Sequence, residues 1–137
     1  MKTKKENNKS AEFDFKTINT FEDACKKEDV NPNELPDVST IPEKYRKEFG
    51  NALISNYRLF VIFKAINNGW IPDFTNRNQL KYYPWFIVSA SGFAFQHSDF
   101  GYAGTNSGLG ARLCTDTSEK ALYIAKQFEQ DWKNILL

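Results

Sequence analysis

The stretch from Pro42 to Asn68 constrains the fold more than any other, because its apolar residues recur at helical spacing. Tyr45, Phe49, Leu53 and Tyr57, then Phe60 or Val61 and Lys64 or Ala65, fall along one side of a helix. Pro42 suits the first turn, where its missing N–H costs nothing, and Gly69 after two asparagines suits a left-handed stop. Gly50 is expected to loosen the first turns. From Leu59 to Ile66 the sequence LFVIFKAI is apolar nearly all round, so this part of the helix requires cover on more than one side. A membrane span needs a longer apolar run, of ~18 residues or more. The helix is therefore expected at the centre of a water-soluble core.

The rest of the chain supplies the elements to cover it. At 137 residues a chain of this size buries roughly two thirds of its unfolded surface around one core, with no need of disulfide or metal staples. Twelve Phe, six Tyr and three Trp make that core unusually rich in rings. Residues 1–10, MKTKKENNKS, have nothing apolar after the first Met and are expected to form a flexible basic arm, with residues 11–137 a single globular domain. Phe13, Phe15 and Ile18 suit either an edge strand or rings laid on the core. Thr20, with Asp23 three residues on, resembles a capping box opening a short helix through about Glu28. Asp29 to Ile41 and Gly69 to Lys81 read as connections broken by proline and polar residues. Tyr82 to Val88 is dense in strand formers, and Pro84 argues for an edge position or a start at Trp85. Phe93 and Phe95, then Leu109 to Cys114, suggest strands of a hairpin or small meander joined through a Gln96–Gly108 loop. Asp116 and Glu119 open a final helix whose Ala121, Ala125, Phe128, Trp132 and Ile135 form one apolar stripe. The expected architecture is α+β, a small antiparallel sheet packed against the long central helix and the C-terminal amphipathic helix.

Charge and cysteine content exclude several function classes. The formal charge is +1, and the N-terminal arm carries four Lys against one Glu, so the remainder is slightly negative. Duplex DNA binding, which draws on a strongly positive face, is disfavoured. No secretory apolar region and no membrane span is apparent, which points to the cytoplasm. Cys25 and Cys114 lie outside any Cys-x-x-Cys or His cluster, so two reduced thiols are expected, with no metal and no cofactor.

The segment from Ser89 to Cys114 looks built to present side chains. Its Gly, Ser, Asn, Tyr and Asp residues are those that binding loops favour, which makes His97, Asp99, Phe100, Tyr102 and Asn106 a candidate partner-binding set within Gln96–Gly108. His97 with Asp99 lacks a nucleophile in a recognisable context, so an enzyme is not expected. Gly101, Gly104, Gly108 and Gly110 match neither the phosphate-binding P-loop nor the dinucleotide fingerprint. A second candidate face interleaves Arg77 and Lys81 with Tyr82, Tyr83 and Trp85, as a single-stranded nucleic-acid platform does. A protein partner is the leading expectation; single-stranded nucleic acid and capture of a nucleotide are the alternatives, and no membrane partner is expected.

The succession FEDACKK (Phe21 to Lys27), ELPDVSTIPEKYRK (Glu34 to Lys47), NNGWIPDF (Asn67 to Phe74), KYYPWF (Lys81 to Phe86) and then SGF with GARLC before a final helix resembles a group of short uncharacterised proteins of phages, prophages and mobile elements of Bacteroidales bacteria. The resemblance covers Phe21 to Leu137. It implies provenance, action in a host cytoplasm or with a virion, and a variable stretch between SGF and GARLC. It carries no catalytic residue. Thr115-Asp116-Thr117 departs from the aromatic or basic continuation expected after Cys114.

Overall fold

A computed structural model describes residues 12–89, 92–101 and 112–137. A short 3-10 turn at Phe15–Thr17 leads into α1 (Phe21–Glu28) and α2 (Glu43–Asn67); the antiparallel strands β1 (Lys81–Ser89) and β2 (Gly92–Gly101) follow, then α3 (Ser118–Gln127) and α4 (Glu129–Leu136). The chain thus mixes helix and strand around one long helix.

Local chemistry explains most of the element boundaries. The capping box of α1 is complete: Asp23 N–H donates to Thr20 Oγ1 at 3.1 Å and Thr20 N–H to Asp23 Oδ2 at 3.1 Å. Phe13 and Phe15 lay their rings against the core and Ile18 is buried, so this segment packs through its rings without forming an edge strand. Pro42 caps α2 without a side-chain hydrogen bond, and Arg46 turns back to the Ser39 and Ile41 carbonyls at 3.1 and 3.0 Å. Gly50 is the point where the preceding connection crosses the helix. A Cβ there would stand 3.2 Å from Val38 Cγ2, so glycine permits the close approach. At the other end Asn68, not Gly69, takes the left-handed cap (φ 47°), and its N–H reaches the Lys64 carbonyl.

The core sits where α2 meets its neighbours. Leu59, Ile62, Phe63 and Ile66 pack with Phe21 and Cys25 of α1, with Leu113, and with Ile124, Phe128 and Trp132. Trp132 is fully buried, meets Phe63 edge-on at 6.1 Å and Phe86 at 5.1 Å, and donates its indole N–H to the Ile124 carbonyl. A polar staple fastens α2 to α4. Asp131 accepts from Ser55 Oγ at 2.9 Å and Arg58 Nε at 3.0 Å, while Asn134 donates to Ser55.

Several expectations need correction. Among the described residues, the anticipated sheet between the two helices is one antiparallel pair of strands, which lies chiefly against α3. Its strands pair from Ser89–Gly92 to Lys81–Gly101, so Gln96–Gly101 belongs to β2 and not to a loop. The register slips at Trp85/Phe86, leaving Gln96 as the extra residue of a bulge. Pro84 sits inside β1 because Tyr82 N–H points away from β2, to the Thr115 carbonyl at 2.8 Å. Pro84, two residues on, turns its nitrogen to the same outer edge, where the β1–β2 ladder needs no donor. Among the described residues, Leu113 to Thr115 contributes a single bridge to Tyr82; residues 109–111 of the expected strand lie outside them. Finally, the C-terminal helix is two helices. Thr117, not Asp116, caps α3, and the backbone breaks at Phe128 (φ −115°, ψ 34°) before α4 begins. The predicted apolar stripe is nevertheless the buried face, with Ala121, Ala125, Phe128 and Trp132 inside.

Candidate functional site

The C-terminal end of α2 builds a cleft that neither predicted site includes. Asn67 is its last helical residue; the Asn68 cap and Gly69, with φ of 47° and 88°, swing the chain away from the helix axis. Trp70 N–H then bonds the Asn67 carbonyl at 3.0 Å, which brings the Trp70–Phe74 segment back across the helix end. Asp73 pins the far side of this segment by accepting from Thr75 N–H and Oγ1 at 2.9 and 2.6 Å. Those bonds, the Thr75 hydroxyl first, hold the Asp73 carboxyl below its ordinary range. The opposite wall is the 112–114 segment, fixed by the paired Tyr82–Thr115 hydrogen bonds and by burial of Leu113.

The resulting cleft has a volume of about 550 Å³, within the range of small-molecule sites. Its walls include Phe60, Trp70 and Phe74, with Lys64 and Arg112 among the polar lining and Asn67 buried within it. Asn67 is 8% exposed, and its Nδ2 donates to the Cys114 carbonyl at 2.9 Å. Its Oδ1 is buried without a hydrogen-bond partner among the described residues. Flipping the amide would not cure this, because it would set Oδ1 against the Cys114 carbonyl and strand the NH₂ instead. The neighbouring Asn68 makes a useful contrast: its Oδ1 accepts from Lys27 Nζ at 2.8 Å. A buried acceptor left bare costs about 1–3 kcal/mol, and here it belongs to a residue that lines an open cleft.

The electrostatics of the cleft divide by depth. The end of α2 places the negative pole of the helix dipole beside Asn67, whereas the exposed Lys64 and Arg112 bring two cations against the single carboxylate of Glu28. Neither cation has an ion-pair partner among the described residues. The Cys114 thiol is pushed up to about 11, by burial first, with Lys81 opposing. It is no nucleophile at neutral pH. No group of three His, Cys, Asp or Glu side chains suited to a metal ion occurs among the described residues.

The two predicted sites fare differently. In the first set, β2 puts His97 opposite Trp85, Asp99 opposite Tyr83 and Phe100 opposite Tyr82. Tyr102 and Asn106 lie outside the described residues. The nucleic-acid face is not assembled as the sequence suggested. Lys81 is 1% exposed, with Nζ held by the Asn76 and Gln79 carbonyls at 3.1 and 2.9 Å and set 5.3 Å from the Phe74 ring centre. A cation so held is a structural tie and cannot meet a phosphate. Tyr82 and Trp85, an odd number of residues apart on one strand, project from opposite faces. Trp85 is 40% exposed beside exposed Ile87, while Arg77 is solvated in the preceding connection.

Asn67, Trp70, Lys64 and Arg112 escaped the sequence reading. Asn67 and Gly69 signalled only a helix stop, and Trp70 a ring pinning a connection. The signal that would have flagged the site is contact between Asn67 and Cys114, which lie far apart in the chain. No helix among the described residues is long and apolar enough to cross a membrane. No protein-family model, curated protein or solved structure matches the chain.

Proposed function

We propose that this chain is a non-enzymatic binding protein that captures a small planar ligand in the cleft at the end of α2. One observation carries the reading: Asn67, whose buried Oδ1 has no partner among the described residues, belongs to the wall of an aromatic-lined cleft. A ligand N–H placed on that oxygen removes a cost the free protein bears, and rings beside it supply contact area at little entropic expense. The mobile-element resemblance fits a small capture protein acting in a host cytoplasm.

The test is a ¹⁵N–¹H correlation titration with uncharged planar fragments that carry an N–H donor, such as 2-aminopyridine, benzamide and indole. Shifts confined to Asn67, Trp70 and Cys114 are expected. Saturation of all three fragments to millimolar concentration with no shift at those residues would overturn the proposal.

A second reading rests on α2 itself. Tyr45, Phe49 and Leu53 are 41%, 48% and 52% exposed, and the first two rings stack at 5.2 Å. Four-residue spacing aligns them as one apolar stripe, which favours a protein partner on this helix over the 96–108 segment. Loss of partner capture in Phe49→Ser, with Gln96–Gly101 intact, would separate the two surfaces.

A further inference from the structure

The lining of the cleft specifies its ligand more narrowly, and this inference rests on the capture reading above. Asn67 Nδ2 gives one N–H to the Cys114 carbonyl while Oδ1 has no partner among the described residues; a ligand donor at that oxygen would satisfy it. The flanking Trp70, Phe60 and Phe74 call for a flat ring. The Trp70 ring is partly exposed, and its indole N–H has no hydrogen-bond partner among the described residues. Lys64 stands one turn before Asn67 on α2, and Arg112 two residues before Cys114, so both cations approach from the chain segments that hold the Asn67 amide. They outnumber Glu28, which gives the polar lining a preference for an anion. An anion deep in the cleft would oppose the helix dipole; one held by the exposed cations would not.

We propose that the ligand is a mononucleotide, its base N–H donating to Asn67 Oδ1, its ring against Trp70 and its phosphate held by Lys64 and Arg112. A base supplies the planar donor edge and the phosphate supplies the charge, joined in one molecule that a cleft of about 550 Å³ accommodates.

Calorimetric titration of the full chain with AMP, adenosine and purine riboside 5′-monophosphate tests each part. The last compound differs from AMP by lacking the amino group. AMP is expected to bind tightest. Loss of the amino donor should weaken binding about 5- to 150-fold, the range for leaving a buried acceptor bare. Loss of the phosphate should weaken it and abolish its dependence on salt. In Lys64→Gln/Arg112→Gln, a pair of exposed sites that leaves the core untouched, AMP and adenosine should bind alike. A longer oligonucleotide binding more tightly than AMP would overturn the mononucleotide assignment in favour of a strand. Equal affinity of wild type for AMP, adenosine and the amino-free analogue would overturn the assignment altogether. Failure of every nucleotide while the uncharged fragments still shift Asn67 and Trp70 would defeat this inference and leave the capture reading standing; failure of both would remove both.

Discussion

Replacing Asp131 by alanine probes how α2 and α4 are joined, and its cost follows from the partners it strands. Ser55 is 2% exposed, and its hydroxyl donates to Asp131 at 2.9 Å while its oxygen already accepts from Asn134. Without Asp131 the buried hydroxyl proton has lost its acceptor, at about 1–3 kcal/mol. A serine in a helix can turn its hydroxyl to the carbonyl one turn back, here that of Asn51, which places the cost in the lower half of that range. Arg58 loses a charged partner at 3.0 Å, but its side chain is 31% exposed and regains water, adding no more than about 1 kcal/mol. The sum is a loss of about 2 kcal/mol in urea denaturation followed by circular dichroism at pH 7. Combining Asp131→Ala with Ser55→Ala should show a coupling of about 1 kcal/mol, because the second substitution removes the stranded donor. A single-mutant loss below about 0.5 kcal/mol together with zero coupling would refute the staple.

Three further outcomes follow from the packing. Truncating Trp132 to alanine should cost about 3–5 kcal/mol in the same assay, since it empties the contact shared by Phe63 and Phe86; a loss under 1 kcal/mol would deny the core assigned here. Burial raises the Cys114 thiol to about 11 from 9.0 and also raises Cys25, so the folded chain binds these protons more tightly than the unfolded chain. That stability is fully present below pH 9 and is lost as pH climbs through about 11. A thiol reagent at pH 8 should therefore label neither cysteine until denaturant is added, and rapid labelling of the native protein would contradict their burial. Tyr123→Phe removes a hydroxyl that donates to the Ile18 carbonyl at 2.7 Å, and should cost about 0.5–1.5 kcal/mol with increased hydrogen exchange confined to residues 13–19.

What could be read from the sequence divides along the range of the interactions. The Thr20–Asp23 box was visible because both halves lie within one turn, and Leu59–Ile66 declared its own burial through apolar residues on every side. The break at Phe128 was not visible: Lys126 to Trp132 contains neither glycine nor proline, and the helix ends for tertiary reasons, with Asp131 and Asn134 reaching Ser55 on α2. Gln96 to Gly101 looked like a loop because Gln, His, Ser and Asp are poor strand formers. Pairing with Tyr82–Trp85 overrides that weak preference, as strand propensity depends on the partner. Lys81 looked solvated for the same local reason, yet the turn at residues 76–79 folds two carbonyls onto its ammonium. The cleft was the least legible feature of all. Its defining atom, Asn67 Oδ1, becomes an orphan only when Cys114 claims the other half of the amide.

That atom also offers the most direct test of the account. Asn67→Leu keeps the number and branching of side-chain heavy atoms and removes the acceptor together with the Nδ2 bond to the Cys114 carbonyl, and a melting curve confirms that the variant folds. Titrating 2-aminopyridine into wild type and variant, with the Trp70 indole and Cys114 amide resonances as reporters, compares the cleft with and without its acceptor. Saturable shifts are expected in wild type, with binding weakened about 5-fold or more in the variant. Equal affinity in the two proteins would show that the unpartnered oxygen takes no part in recognition, and would contradict the claim on which the proposed function rests.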